Sequence, residues 1–159
     1  MEHEVSFTES QIHELLSKPE NLEKTYKGLI TVVFKETPSV KLGSPTGKAT
    51  IIAQADIVPL GQPPIPVNAT AIAGIRYDEK TKSFYLEDPK VQSVSSPYLQ
   101  KEYEQPASKA VSKFMTNYFE IKPVYTLKAD RNLKESTVRW LLKTIRIESG
   151  KVVATLSPF

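Results

Sequence analysis

Apolar side chains recur at every second position through most of residues 48–94, and this period is the strongest constraint on the fold. It is typical of strands that bury one face. Turn-forming residues bound its runs at 43–47, 61–64 and 78–81. Connections this short join antiparallel neighbours, because a parallel crossover needs about a dozen residues or more. The sequence therefore predicts a four-strand antiparallel meander over 29–35, 48–59, 65–77 and 83–94.

One face of this meander carries small side chains, namely Ala49, Ala53, Ala55, Ala69, Ala71 and Ala73. Alanines alone cannot fill a core, so a bulky element is expected against them. The sequence predicts a helix over 98–120 whose second half carries an apolar stripe at helical spacing. The stripe consists of Ala107, Ala110, Val111, Phe114, Met115, Tyr118 and Phe119. Pro106 is expected to kink this helix or to split it in two.

The remaining segments predict short flanking elements. Thr8-Glu9-Ser10-Gln11 fits a capping box and predicts a helix over 8–18. A short strand is expected over 124–128, and a helix over 133–142 with Asn132 as its cap. Residues 144–156 predict a bent closing strand or a hairpin around Gly150.

These elements predict a single α+β domain over residues 1–159. Its long curved antiparallel sheet combines the four-strand meander with the C-terminal strands. The sheet is expected to wrap around the long, proline-kinked helix, with short N- and C-terminal helices beside it. Residues 1–6 are expected to be flexible or to be an addition to the native chain.

The composition excludes several kinds of chemistry. The chain has no cysteine, which excludes disulfides, thiolate metal sites and a cysteine nucleophile. His3 and His13 are the only histidines, and no nucleophile–base pair or metal-ligand cluster stands out. We therefore expect a protein that is not an enzyme, with no catalytic residues, no metal and no cofactor.

Charge is distributed unevenly along the chain. The net charge of +3 is too small to indicate a nucleic-acid partner. Residues 1–26 hold six acidic and two basic side chains, whereas residues 122–151 hold eight basic and three acidic ones. The basic segment is interpreted either as a solvated helix face or as a patch for anionic lipid head groups or another polyanion.

The shallow alanine face opposite an aromatic helix stripe leads to a ligand hypothesis. An apolar space with few polar anchors suits a lipid or an acyl chain. The expected ligand-binding residues between sheet and helix are Ile51, Ala53, Ala55, Ala69, Ala71, Ala73, Val111, Phe114, Met115 and Tyr118. The alternative is a fully packed core without ligand, in an adaptor that binds an envelope protein through an open sheet edge or the basic tail.

Three segments also carry a family resemblance. They are FTESQIHELLSK, MTNYFEIKPVYTLK and the terminal SPF, and the most specific stretch is Asn117-Tyr118-Phe119 followed by PVYTL at 123–127. With the order of elements, they resemble the YceB-like family of bacterial envelope lipoproteins, a domain of unknown function. The resemblance extends over roughly residues 5–157.

The resemblance implies a curved antiparallel sheet around a long helix, similar to one half of the tubular lipid-binding superfamily. It implies a lipid or another hydrophobic ligand and supplies no catalytic residues. It further implies a periplasmic protein of the outer membrane, associated peripherally through a lipidated cysteine upstream of residue 1.

Overall fold

The computed structural model describes residues 3–16 and 22–157. About half of the structure is antiparallel strand, and about a quarter is helix. The elements, in chain order, are β1 (His3–Thr8), α1 (Glu9–Leu16), β2 (Glu23–Tyr26), β3 (Ile30–Phe34), β4 (Ser39–Leu42), β5 (Ala49–Pro59), β6 (Ile65–Asp78), β7 (Ser83–Ser95), α2 (Lys101–Ile121), β8 (Tyr125–Thr126), α3 (Leu133–Leu141), β9 (Leu142–Glu148) and β10 (Lys151–Leu156).

The larger sheet has seven strands and contains the predicted meander. Its order is β2-β3-β5-β6-β7-β8, and β4 also pairs with β5. The predicted pairing of β3, β5, β6 and β7 is confirmed, although β3 and β4 share one side of β5. Alternate residues of β5 and β6 are buried, as the period of two predicts. The polar β2 and the short β4 were not predicted.

The sheet is open and curved. Its pairing register shifts twice between β6 and β7, next to Ala71 and before Gly74. At the second shift Asp88 adopts a positive φ of 49° and is followed by Pro89. Both irregularities place extra residues in β7, and such bulges bend a strand and increase its twist. They therefore contribute to the curvature of the sheet.

Helix α2 lies against this sheet and packs on β7 and β3. It continues as one helix from Lys101 to Ile121 across Pro106, so of the two expected alternatives, a kink or a division, the division is not observed. Pro106 cannot donate to the carbonyl of Glu102. Both residues are exposed, and that carbonyl can be hydrated instead. The apolar stripe is confirmed, since all seven of its residues are buried.

The C-terminal strands form a second sheet, contrary to the prediction of one continuous sheet. Its order is β1-β10-β9, with β9 and β10 joined as a hairpin at Gly150. Residues 3–6, which were expected to be flexible or to be an addition to the native chain, lie in β1. Strand β1 is held by pairing with β10 and by Phe7, which is fully buried against Phe84 and Tyr125.

The predicted helix caps are confirmed. The amide of Thr8 donates to Gln11 Oε1 at 2.8 Å, and the amide of Gln11 donates to Thr8 Oγ1 at 3.3 Å. Asn132 Oδ1 accepts from the amide of Glu135 at the start of α3. The expected end of the first helix, at residue 18, lies outside the described residues. Among the helices that the structure describes, none has both the length and the apolar character to span a bilayer.

The two sheets meet at Leu42 and Gly43. The amide of Gly150 donates to the carbonyl of Leu42 at 2.9 Å, and the amide of Leu42 donates to Glu9 Oε1 at 2.7 Å. A Cβ atom on Gly43 would lie 2.6 Å from the Cα of Ser149. Glycine at this position therefore lets the hairpin between β9 and β10 approach β4.

We expect Gly43→Ala to destabilise the protein more than Gly47→Ala. Both glycines have positive φ, which costs an alanine about 1 kcal/mol, but only the Gly43 position adds a backbone clash, worth about 1–3 kcal/mol more. Urea denaturation of the two variants measures this difference. Equal losses of unfolding free energy would contradict the close approach of the sheets at Gly43.

Candidate functional site

The ten residues expected to bind a ligand between sheet and helix are brought together in one interior. All ten are buried, none more than 6% exposed, and all belong to the hydrophobic core. Opposed pairs such as Ala53–Ala69 and Ile51–Ala71 lie across β5 and β6. The Phe114 ring contacts Phe34 of β3, with ring centroids 4.5 Å apart. Sheet and helix are therefore in direct contact at this end of the stripe.

A cleft of about 520 Å³ lies beside this interior, at the C-terminal half of α2. Its walls come from β2 and β8, the two edge strands of the curved sheet. We call it the edge cleft. Its volume falls within the range of about 300–1,000 Å³ usual for small-molecule sites. Its lining is Glu23, Lys24, Tyr26, Phe114, Asn117, Tyr118, Ile121, Lys122, Pro123, Tyr125, Thr126, Lys128 and Arg131.

Aromatic rings form the floor of the edge cleft. The rings of Phe114 and Tyr118 are stacked with centroids 6.3 Å apart, and Phe34 packs edge-on against both. Tyr125 is fixed on the opposite wall by Phe7, at 4.9 Å. Because these rings are anchored in the core, the floor is a rigid apolar surface. Such surfaces bind apolar ligands with little loss of conformational entropy.

Basic side chains surround this floor. Lys24, Lys122, Lys128 and Arg131 line the edge cleft, and Glu23 is the one acidic residue among its described lining residues. The ammonium groups of Lys24 and Lys128 have no ion-pair partner within residues 3–16 and 22–157. A ligand with a negative group would therefore meet two ammonium groups, Lys24 and Lys128, that pair with no carboxylate of the described residues.

Arg131 is positioned by a buried carboxylate. Glu135 is 2% exposed, and its Oε1 accepts from Arg131 Nη1 at 2.7 Å and from the amide of Lys128 at 3.4 Å. Its Oε2 accepts from Asn132 Nδ2 at 3.3 Å. The guanidinium of Arg131 then lies 5.2 Å from the centre of the Tyr125 ring. Glu135 thus joins the loop before α3 to the wall of the edge cleft.

Two tyrosine hydroxyls are also near this site. Tyr26 Oη is buried without a hydrogen-bond partner among the described residues, and burial raises the pKa of its phenol. Burial, and secondarily the Glu135 carboxylate, raises the pKa of Tyr125. Both phenols therefore stay protonated at neutral pH and can donate a hydrogen bond.

Two of the ten predicted residues, Phe114 and Tyr118, also line the edge cleft. The other eight predicted residues lie in the core outside the lining of the cleft. Sequence reasoning missed Tyr26, because the polar strand that carries it was not predicted. It also missed Glu135, although the spacing Asn132-x-x-Glu135 is a capping-box pattern and signals a carboxylate turned toward the start of α3.

The acidic and histidine side chains of the described residues form no group of three or more that could hold a metal ion. The residues that line the edge cleft offer apolar contact, hydrogen-bond donation and positive charge.

A comparison with protein families matches a part of the chain that contains both walls of the edge cleft. The family model described as "Protein of unknown function (DUF1439)" matches residues 7–151. This span begins in β1, contains β2, α2, β8 and α3, and ends at the first residue of β10. A comparison with curated proteins found no match.

We expect Ala71→Phe to lower the unfolding free energy by about 1–3 kcal/mol, because a ring would overpack a side chain that is now fully buried. Asn68→Phe, on the exposed face of the same strand, is the control. Chemical denaturation measures both. An Ala71→Phe protein as stable as wild type would instead indicate spare space between sheet and helix.

We expect the protein to lose stability above about pH 10, and Tyr26→Phe to reduce part of this loss. The raised pKa of Tyr26 means that the unfolded chain releases the proton first. The stabilisation is therefore complete below the unfolded pKa and disappears as the pH rises through the folded pKa. Urea titrations at several alkaline pH values measure it. Tyr98→Phe, at an exposed ring, is the control, and an unchanged alkaline slope in Tyr26→Phe would contradict the burial of Tyr26.

Proposed function

The chain belongs to the family described as protein of unknown function (DUF1439), and we propose that it binds a lipid or another hydrophobic ligand with an anionic head group. The observation that carries this proposal is the edge cleft. It combines a rigid aromatic floor with basic side chains, two of which form no ion pair with the described part of the chain. An amphipathic anion complements both features, because its apolar part fits the aromatic floor and its negative group fits the basic side chains.

In this proposal the apolar part of the ligand lies on Phe114 and Tyr118. The chain of the ligand stays in the edge cleft, beside Ile121 and Pro123, because the eight other predicted residues are packed in the core. Burial of a methylene contributes about 0.8 kcal/mol, so about ten methylenes contribute about 8 kcal/mol. This is comparable to the cost of association, and the head group adds the remaining affinity and the selectivity.

The head group in this proposal is held by Lys24 and Lys128, which approach from opposite walls of the edge cleft. The buried hydroxyl of Tyr26 supplies a neutral donor to the same group. No reaction is proposed, because a lipid head group needs only donors and cations to be held. The protein would thus act as a carrier or sensor and not as an enzyme, and it would use no cofactor.

The location proposed for this protein follows from its resemblance to YceB-like envelope lipoproteins. Much of the segment that carries this resemblance, residues 115–128, lines the edge cleft. This supports a shared ligand site. We accordingly propose a periplasmic protein held at the outer membrane by an N-terminal lipid of its precursor. Fractionation of cells that express the full-length gene tests the location.

We expect the protein to bind lysophosphatidylglycerol more tightly than lysophosphatidylcholine, which has the same chain but no net charge. Lys24→Gln and Lys128→Gln should each weaken binding of the anionic lipid about tenfold, as for the loss of one charge-assisted hydrogen bond. Lys109→Gln, on the exposed side of α2, is the matched control. Native mass spectrometry and calorimetric titration measure the binding.

Equal affinity for the two lysolipids, or equal affinity in the lysine variants and wild type, would contradict the proposed head-group site. A protein that purifies without lipid and takes up neither lysolipid would favour a second candidate function, an envelope adaptor with a dry core. Burial of all ten predicted residues is the observation that favours this second candidate. Its partner would then add a strand to β2 or β8.

A further inference from the structure

Helix α3 exposes two large apolar side chains on one face. Trp140 is 85% exposed and Leu133 is 83% exposed, although the indole and leucine side chains are among those that folding most favours to bury. They lie seven residues apart, which is two helical turns and therefore the same side of the helix. Thr137, one turn from each residue, is also exposed. The opposite side of α3 is buried through Glu135 and Val138.

Basic side chains flank this face. Lys134 and Arg139 stand on either side of the stripe formed by Leu133, Thr137 and Trp140. The Lys134 ammonium also donates to the carbonyl of Ser6 at 2.9 Å, which leaves two of its three protons for other acceptors. Residues 128–143 hold five basic and two acidic side chains. One of the two acids is Glu135, which is buried and engaged with Arg131. In space, Trp140 shares a surface depression with three cations and one acidic side chain, so the charge around it is positive on balance. The cations are Lys82, Arg139 and Lys143, and the acid is Glu79.

We propose that this face of α3, which we call the α3 face, docks on the surface of an anionic lipid bilayer. Trp140 and Leu133 enter the interfacial layer, and the flanking cations approach the head groups. Tryptophan and leucine beside lysine and arginine are the side chains that hold amphipathic helices at such surfaces. Each cation near an anionic surface adds to the attraction, which extends over about a Debye length.

A protein partner fits the α3 face less well. A stable protein interface buries about 800 Å² on each partner. Two apolar side chains separated by a threonine offer a small fraction of that area. A fluid bilayer needs no complementary shape. A single exposed apolar side chain can insert into it, so two such side chains are enough to strengthen binding. The combination of two anchors and flanking positive charge therefore favours the lipid surface.

Docking through α3 would also bring the edge cleft to the membrane. The loop before α3 carries Lys128 and Arg131, which line the cleft. A ligand that leaves the bilayer would then enter the cleft without crossing bulk water. This consequence rests on the proposed function, whereas the docking itself depends only on the residues of α3 and its surroundings.

The protein contains its own probe, because Trp140 is its only tryptophan. We expect its emission to shift to shorter wavelength when the full chain is mixed with vesicles of phosphatidylcholine and phosphatidylglycerol. Quenching by brominated lipid in these vesicles should accompany the shift. Vesicles of phosphatidylcholine alone should produce neither effect, and high salt should reverse both. An emission spectrum unchanged by anionic vesicles would overturn the proposal.

Variants test whether the α3 face is responsible. In vesicle flotation, Trp140→Ala and Leu133→Ala should each reduce the bound fraction, and the double variant should abolish binding. Leu60→Ala and Tyr98→Ala are the matched controls, because these side chains are similarly exposed outside α3. Lys143→Glu should weaken binding about tenfold, whereas Lys109→Glu, on α2, should not. Wild-type flotation by the double variant would overturn the assignment to α3.

The lipid-binding proposal and the membrane-docking proposal can be tested separately. Lys24→Gln and Lys128→Gln, tested with monomeric lysolipid, report on the edge cleft, whereas Trp140→Ala tested with vesicles reports on the α3 face. If Trp140→Ala still binds lysophosphatidylglycerol but no longer floats, both proposals are supported. Loss of lysolipid binding in Trp140→Ala would instead mean that the indole belongs to the ligand site, and it would overturn a separate docking role.

Discussion

The packing of helix α2 on the large sheet is the constraint on which the rest of the structure depends. The helix contacts the sheet at β3 and β7, and the alanines of β5 and β6, which lie between these strands, are buried in the same core. The bulges in β7 bend the sheet around the helix, and its edge strands then line one cleft. The candidate site is thus a consequence of the curvature of the sheet around the helix.

Much of this fold could be predicted from the sequence, because its main elements are periodic. Strands β5 and β6 alternate clearly, and α2 carries a continuous apolar stripe, so local pattern and tertiary burial agree. Strands β2 and β4 gave no comparable signal, since they are four residues long and rest on pairing with neighbours. The N-terminal strand was missed because its charged first residues are exposed, and only Phe7 at its end is fully buried.

The candidate site was predictable only in part, for a physical reason. Phe114 and Tyr118 belong to the helix stripe, so periodicity found them. Tyr26 and Tyr125 stand about a hundred residues apart and share the cleft only because the sheet curves. Hydrophobic pattern reports which face of a strand is buried, but it does not report the curvature of a sheet. The role of Glu135 likewise depends on a loop whose course no local pattern determines.

The pairing of β1 with β10 has a consequence for folding. His3 lies opposite Leu156, so the small sheet joins residues separated by nearly the whole length of the chain. Contacts of such high sequence separation form slowly, because a large loop must be closed before any pairing energy is gained. During synthesis the first strand has no partner until the last one has left the ribosome. Among the described strands, β1 therefore waits longest for its partner, and its hydrogen-bonding edge stays open to pairing with other chains until β10 is available.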